Sequence, residues 1–201
     1  YKTEVTVVND FNKVVDAINN GSLTNEQAIA QITAAINNMD VDQQTKLQAI
    51  MDAITSVNNT IATKLAVIEA AMKAQTISIE GKLALIEDVI KNQNSTLDIK
   101  LGAIAAAMKE QTIALTEKMQ IIESVMKDQK TAFETKIDIF ANAVINLPNY
   151  EDILEAIKTA LISVNPNEQL KLLEGVLEKY FSDELKYPDE PLSFKGKIYY
   201  C

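Results

Sequence analysis

The sequence predicts an all-α protein whose middle is one long parallel coiled coil, with a short helical cap and minor terminal strands. Its 201 residues are 47% hydrophobic but include only 5 Gly and 4 Pro. Such a chain can fill a core and has few residues that interrupt helices. Lys recurs every 18 residues, at positions 46, 64, 82, 100, 118 and 136. Between these lysines, apolar residues recur at helical spacing.

The 18-residue unit carries the spacing of a coiled coil. Its second, fifth, ninth and sixteenth positions are apolar, and including the twelfth position gives steps of 3, 4, 3, 4 and 4. These steps amount to two heptads and a four-residue stutter. Because such a unit makes about five turns of about 3.6 residues, the apolar stripe should run straight along the helix.

A stack of short helices is the alternative to one long helix. Each unit would then need a turn, and the candidate turn columns read NNT, TIS, NST, TIA and KTA, without Gly or Pro. The sequence therefore favours a continuous helix from about Thr24 to about Asn146, roughly 180 Å long. Thr24 and Gln27 form a capping box at its start. Pro148 ends it, because the residue before proline is driven out of the helical region.

A helix of this length must bury its apolar stripe against partner helices, and self-association is the simplest assumption. If the second and fifth positions are a and d, the repeated Lys occupies g and a Glu occupies e in three units. These flanks meet in a parallel homo-oligomer and not in an antiparallel one. The alternative is that the charges only solvate the helix. The predicted interchain ion pairs are Lys64 with Glu69, Lys82 with Glu87, and Lys118 with Glu123.

Leu at a with Ile at d favours more than two strands, so we expect a trimer ahead of a tetramer or dimer. Gln occupies the twelfth position of four successive units, where polar core layers would fix the register; the alternative is that these Gln lie at the rim. The predicted oligomer core comprises Leu65, Ile68, Met72, Gln75, Ile79, Leu83, Ile86, Ile90, Gln93, Leu97, Leu101, Ile104, Met108, Gln111, Leu115, Ile122 and Gln129.

The ends divide the chain into further segments. Residues 1–23 are expected to hold a strand, YKTEVTVV, and a short helix before the coiled-coil helix of residues 24–147. Residues 148–184 show the spacing of two short cap helices, and residues 185–201 that of a loop and a terminal strand. The aromatic C-terminal end, with Phe194, Tyr199 and Tyr200, is where we expect any surface target to bind; Cys201 equally well truncates a larger domain.

Catalytic and cofactor chemistry is not expected. All 19 basic residues are Lys, there is no His, and the single Cys is Cys201. The usual general base, the commonest metal ligand and any internal disulfide are therefore missing from the sequence. A net charge of −9 argues against a nucleic-acid partner. No apolar run is long enough for a membrane span.

Residues 46–147, with their Lys and Gln punctuation and the LPNY step into a further helix, resemble the coiled-coil stalks of bacterial surface lipoproteins and phage tail fibres. The resemblance implies an extracellular or cell-surface position, trimeric assembly and a role in adhesion, and it carries over no functional residues. We expect a structural stalk that presents an attachment module. The alternatives are a pore-forming, membrane-active toxin component and an intracellular coiled-coil scaffold.

Overall fold

Short helices joined by tight turns make up the described part of the chain. The computed structural model describes residues 2–180 and folds them into ten α-helices. These are α1 (Glu4–Asn19), α2 (Asn25–Asn37), α3 (Gln43–Thr55), α4 (Ile61–Lys73), α5 (Ile79–Lys91), α6 (Leu97–Lys109), α7 (Leu115–Lys127), α8 (Phe133–Asn146), α9 (Tyr150–Ser163) and α10 (Pro166–Tyr180).

The prediction of one continuous helix from Thr24 to Asn146 is wrong. Helices α2 to α7 contain 13 residues each. Connections of five residues, such as 56–60, separate them. Each 18-residue unit is therefore one helix and one turn, and the all-α class is confirmed without the coiled-coil rod.

The turns form without glycine because polar side chains hold them. After α3, the carbonyl of Ser56 accepts a hydrogen bond from the N–H of Asn59 at 3.4 Å, and Ser56 Oγ accepts one from the N–H of Asn58 at 3.3 Å. After α5, Asn92 Oδ1 likewise accepts from the N–H of Asn94 at 2.9 Å. No residue within 2–180 has a positive φ. The commonest β-turn accepts most residues and favours Ser, Asn and Asp at its first position, so Gly and Pro are not required.

Before each of the helices α2 to α6, the last residue of the turn caps the next helix. Thr60, Ser78 and Thr96 each accept a hydrogen bond from the backbone N–H three residues on, at 3.1, 3.0 and 3.4 Å. Ser and Thr are among the preferred N-cap residues because their oxygen satisfies an N–H that has no partner within the helix. Ala114 and Ala132 hold the same position before α7 and α8 and make no such bond. The final Ser or Thr in the candidate turn segments NNT, TIS and NST therefore marks the start of a helix.

Consecutive helices alternate between two layers. The even-numbered helices α2, α4, α6, α8 and α10 form one file in which each packs against the next. The odd-numbered helices α1, α3, α5, α7 and α9 form the other file. The structural repeat is therefore a pair of helices that spans two 18-residue units, and the architecture is an α-solenoid in which each repeat contacts its neighbours.

A single hydrophobic core lies between the two layers. Its fully buried members include Ile32, Ile50, Ile68, Ile86 and Ile104. Each such side chain stabilises the fold by about 1.5–3 kcal/mol relative to an exposed one. The even layer is rich in buried Ala, for example Ala70, Ala71, Ala103 and Ala107, and small side chains allow neighbouring helices to approach closely.

The ends of the chain continue the same architecture. The predicted N-terminal strand is wrong: Thr3 caps α1, which buries Phe11, Val15 and Ile18 at the spacing of a helix face. In the segment 148–184, α9 packs on α7 and α10 packs on α8, so these helices extend both layers. The predicted strand in 185–201 lies outside the described residues.

Candidate interaction surface

Most of the predicted oligomer core lies inside the single chain. Ile68, Met72, Ile86, Ile90, Ile104, Met108 and Ile122 are buried, and Leu65, Ile79, Leu83 and Leu101 pack partly buried against the same core. Leu97 and Leu115 remain 41% and 36% exposed. The apolar stripe was correctly recognised as a buried face, but neighbouring helices of the same chain cover it. A parallel trimer through this stripe therefore has no free surface to use.

The four predicted polar-layer residues lie in turns. Gln75, Gln93, Gln111 and Gln129 each occupy the second residue of a connection and are exposed. They form no core layers, and their regular recurrence follows from the recurrence of the turn. The sequence analysis placed these Gln either in polar core layers or at the rim of an interface. Both placements assumed an unbroken helix and therefore missed the turns.

The predicted interchain ion pairs also lose their geometric basis. Lys82 and Lys118 are only 4% and 5% exposed, within the chain's own core. Glu87 lies 4.0 Å from Lys91, one helical turn on, and Glu123 contacts Lys127 in the same way. Lys64 and Glu69 are half-buried on α4.

Three buried lysines recur in the odd layer at intervals of 36 residues: Lys46, Lys82 and Lys118. The ammonium group of Lys46 donates a hydrogen bond to Thr76 Oγ1 at 2.9 Å. Burial lowers the pKa of all three lysines, because removing an ammonium from water disfavours its charged form. Nearby carboxylates oppose this lowering of the pKa without cancelling it; they are Asp40 for Lys46, Glu110 for Lys82, and Asp152 with Glu110 for Lys118.

Side-chain amides tie neighbouring turns together. Asn37 Oδ1, at the end of α2, accepts hydrogen bonds from the N–H and the hydroxyl of Thr76, at 3.2 and 3.0 Å. Gln43 contacts the same turn: it donates to the carbonyl of Thr76 at 2.6 Å and accepts from the N–H of Ser78 at 3.1 Å. These bonds fix the position of one repeat relative to the next.

In the even layer, a large side chain of one helix packs onto a small residue of the next. A Cβ placed on Gly102 of α6 would lie 2.1 Å from Leu65 Cδ2 of α4. A Cβ placed on Gly175 of α10 would lie 2.5 Å from Ile137 Cγ2 of α8. Leu65 and Ile137 are each the fifth residue of their helix. The large residue therefore faces the C-terminal end of the file, and the small residue faces the N-terminal end.

At the N-terminal end of this file, the small-residue face of α2 is open. Gln27, Ala30, Gln31 and Ala34 are exposed, whereas their counterparts 36 residues later, Thr63, Ala66, Val67 and Ala70, are buried. Ala30 and Ala34 line an open groove of about 870 Å³, whose wall also includes Ile29 and Lys73. The groove follows α2 for most of its length.

At the C-terminal end, the large-residue face of α10 is open. Leu170 is the fifth residue of α10 and Leu177 the twelfth. They are 66% and 53% exposed, whereas the twelfth residues of α4, α6 and α8, which are Met72, Met108 and Val144, are buried. Leu154 of the adjacent α9 is 51% exposed as well. Three exposed leucines thus lie where the next helix pair would pack.

The described residues offer neither a metal site nor a membrane-spanning helix. Within 2–180, no three or more Asp, Glu, Cys or His side chains form a group that could hold a metal ion. No helix in that range has both the length and the apolar character needed to cross a bilayer. Comparisons with protein-family models, curated proteins and solved structures gave no match. The functional interpretation therefore depends on the geometry of the chain itself.

Sequence reasoning missed both open faces. The signal that could have found them is the alternation of the units: KLAVIEAAMKAQTI at 64 and KLGAIAAAMKEQTI at 100 resemble each other more than either resembles the unit between them. A period of 36 residues indicates pairs of helices and therefore a stack with two ends.

Proposed function

We propose that the chain is a non-enzymatic structural spacer, a helical-repeat rod that fixes the distance between the groups attached to its two ends. The observation that carries the proposal is the single file of even-numbered helices, in which each helix packs on the next while the odd layer supports the file from one side. In such a stack, the number of repeats sets the length. At about 10 Å between neighbouring helix axes, the file from α2 to α10 spans about 40 Å.

The side chains that recur with the repeat support this role. The turn amides and the Leu-to-Gly contact hold one repeat against the next, and the N-cap hydroxyls fix where helices begin. Most long polar side chains remain on the solvated faces. This distribution is suited to a rigid spacer.

The attachment role belongs to the same proposal. An extracellular or cell-surface rod would present its cargo at the aromatic C-terminal end, where Phe194, Ile198, Tyr199 and Tyr200 cluster in the sequence. Adhesion through that end, and a bacterial or phage setting, remain predictions from the resemblance to surface stalks.

The test is to shorten the rod by one repeat. Deletion of residues 64–99 joins Thr63 to Lys100 and keeps a 13-residue helix, IATKLGAIAAAMK, in the correct register. Spin labels at exposed positions 13 and 171, in a Cys201→Ser background, report the end-to-end distance. We expect a narrow distribution that shortens by about 10 Å, one helix spacing. A broad distribution, an unchanged distance or a chain that no longer folds would each contradict the spacer proposal.

A further inference from the structure

The two ends of the even layer are the separated halves of one contact. Inside the chain, the fifth residue of one even helix packs on the sixth or the tenth residue of the next: Leu65 on Gly102, and Ile137 on Gly175. The last even helix, α10, has Leu170 at its fifth position and nothing within 2–180 beyond it. The first, α2, has Ala30 and Ala34 at its sixth and tenth positions, both exposed.

We propose that copies of this chain associate head to tail, with the exposed face of α10 of one copy seated on the exposed small-residue face of α2 of the next. The contact would continue the α8–α10 packing across the junction between two chains. Leu170 would lie against Ala30 or Ala34, and Leu177 would be covered as Met72 and Met108 are within the chain. A contact between two different surfaces of the same molecule leaves one free face at each end of the pair. Because it would continue the packing direction of the stack, the assembly extends the rod.

The size and composition of the two faces suit this occupant. The exposed face of α2 presents the small side chains of Ala30 and Ala34 at the sixth and tenth positions, where Gly102 and Gly175 receive a large side chain within the chain. The α10 face offers two exposed leucines seven residues apart, the spacing of a helix face that packs on another helix. Terminal repeats of a solenoid normally carry a polar outer face, and α10 departs from that rule. Gln27 and Gln31 take the places of the buried Thr63 and Val67, so the free face of α2 is partly polar.

Polar groups at the edge of the junction are compatible. Within the chain, Glu69, the ninth residue of α4, lines the same small cleft as Lys109, the thirteenth residue of α6. In the same register the exposed Glu174, the ninth residue of α10, would meet Asn37, the thirteenth residue of α2. An amide can donate a hydrogen bond to a carboxylate.

The inference goes beyond the spacer role and does not depend on it, because a single chain keeps its length whether or not copies associate. The mass of the full chain in solution, measured by light scattering or sedimentation over a range of concentrations, tests it. Three exposed residues are changed to Glu: Leu170 at the α10 face, Ala34 at the α2 face, and Leu97 in the middle of the rod as the control. Far-ultraviolet circular dichroism checks that each variant is folded.

We expect the mass of the wild-type chain and of Leu97→Glu to rise with concentration beyond twice the 22.2 kDa of one chain. Leu170→Glu alone and Ala34→Glu alone should stay monomeric, because each junction needs both faces. Mixing these two variants restores one intact junction and should give a dimer that grows no further. A monomeric wild-type chain would overturn the proposal, as expected if residues 181–201 or another protein cover the α10 face. Dimerisation of Ala34→Glu alone would also overturn it, because two α10 faces would then be pairing.

Discussion

Leu65 of α4 packs directly over Gly102 of α6: a Cβ on Gly102 would lie 2.1 Å from Leu65 Cδ2. The absence of a side chain at position 102 thus lets Leu65 lie on the backbone of α6, and a Cβ there would force the end of the leucine side chain to move. Gly102 lies inside α6 and not in a turn, and its φ is not positive.

Replacement of Gly102 by Ala should therefore destabilise the chain. Ala gains about 1 kcal/mol in helix propensity, but overpacking costs about 1–3 kcal/mol, so we expect a net loss of about 1 kcal/mol in the free energy of unfolding. In a Leu65→Ala background the overlap is gone, and the same change should stabilise by about 1 kcal/mol. Urea denaturation of the four proteins in this cycle measures both values. Stabilisation by Gly102→Ala in both backgrounds would exclude the contact.

Ala114 is an N-cap without a capping side chain, and Thr should supply one. We expect Ala114→Thr to raise the free energy of unfolding by about 0.5–2 kcal/mol, and the matched change Thr96→Ala to lower it by a similar amount. In an unbroken helix position 114 would be interior, where Thr is a poorer helix former than Ala. Thermal and urea unfolding report the sign, and a loss of stability in Ala114→Thr would argue for the unbroken helix.

Lys82 is buried and its pKa is lowered by that burial, with Glu110 acting in the opposite direction. The folded chain then binds fewer protons than the unfolded chain between the lowered pKa and about 10.4, the pKa of an exposed lysine. The buried ammonium therefore lowers the free energy of unfolding most at neutral pH. This loss becomes smaller as the pH rises through that window.

Lys82→Met keeps the aliphatic stem and removes the charge. We expect it to raise the free energy of unfolding by about 1 kcal/mol at neutral pH, with the advantage shrinking towards pH ~10.4. The exposed Lys109→Met serves as the control and should show neither effect. Urea unfolding across this range makes the comparison, and an advantage that grew with pH would reverse the assigned direction.

Asn37 holds the turn between α4 and α5 through two hydrogen bonds to Thr76. Asn37→Ala leaves that turn without its partner, so we expect a loss of about 1–2 kcal/mol and faster hydrogen exchange at the Thr76 amide. Asn38→Ala, one residue on and exposed, is the matched control. Equal exchange at Thr76 in both variants would mean that the inter-repeat bond is not formed in solution.

Much of the fold follows from local chemistry that a sequence displays. The capping box of Thr24 and Gln27 is confirmed, with both hydrogen bonds present. The two helices expected after Pro148 are present as α9 and α10. The apolar stripe correctly identified the buried faces of the repeats, because the spacing of apolar residues on a helix is decided within the helix itself.

The breaks between helices could not be recognised by a search for Gly and Pro. The turns begin at residues such as Ser56 and Asn92, whose backbone is extended. Ser and Asn also occur within helices, so their presence in the sequence does not by itself indicate a break. Apolar periodicity also does not state whether the partner helix belongs to the same chain. The buried lysines show this, since Lys82 was predicted to pair with Glu87 of another chain and lies in the core of its own chain.

A proline in one turn tests the central claim, that every 18-residue unit contains a helix and a turn. Gln111 follows Glu110, whose extended backbone (φ −72°, ψ 118°) suits a residue before proline. Pro is also favoured at the second position of the commonest β-turn. The matched control is Ala105→Pro in the interior of α6, which should cost about 3 kcal/mol or more.

The measurement is the free energy of unfolding of Gln111→Pro by urea denaturation, with helix content followed by circular dichroism. The solenoid predicts a change within about 1 kcal/mol of the wild-type chain and unchanged helix content. A loss of about 3 kcal/mol, equal to that of Ala105→Pro, would show that position 111 lies inside a helix and would contradict the account.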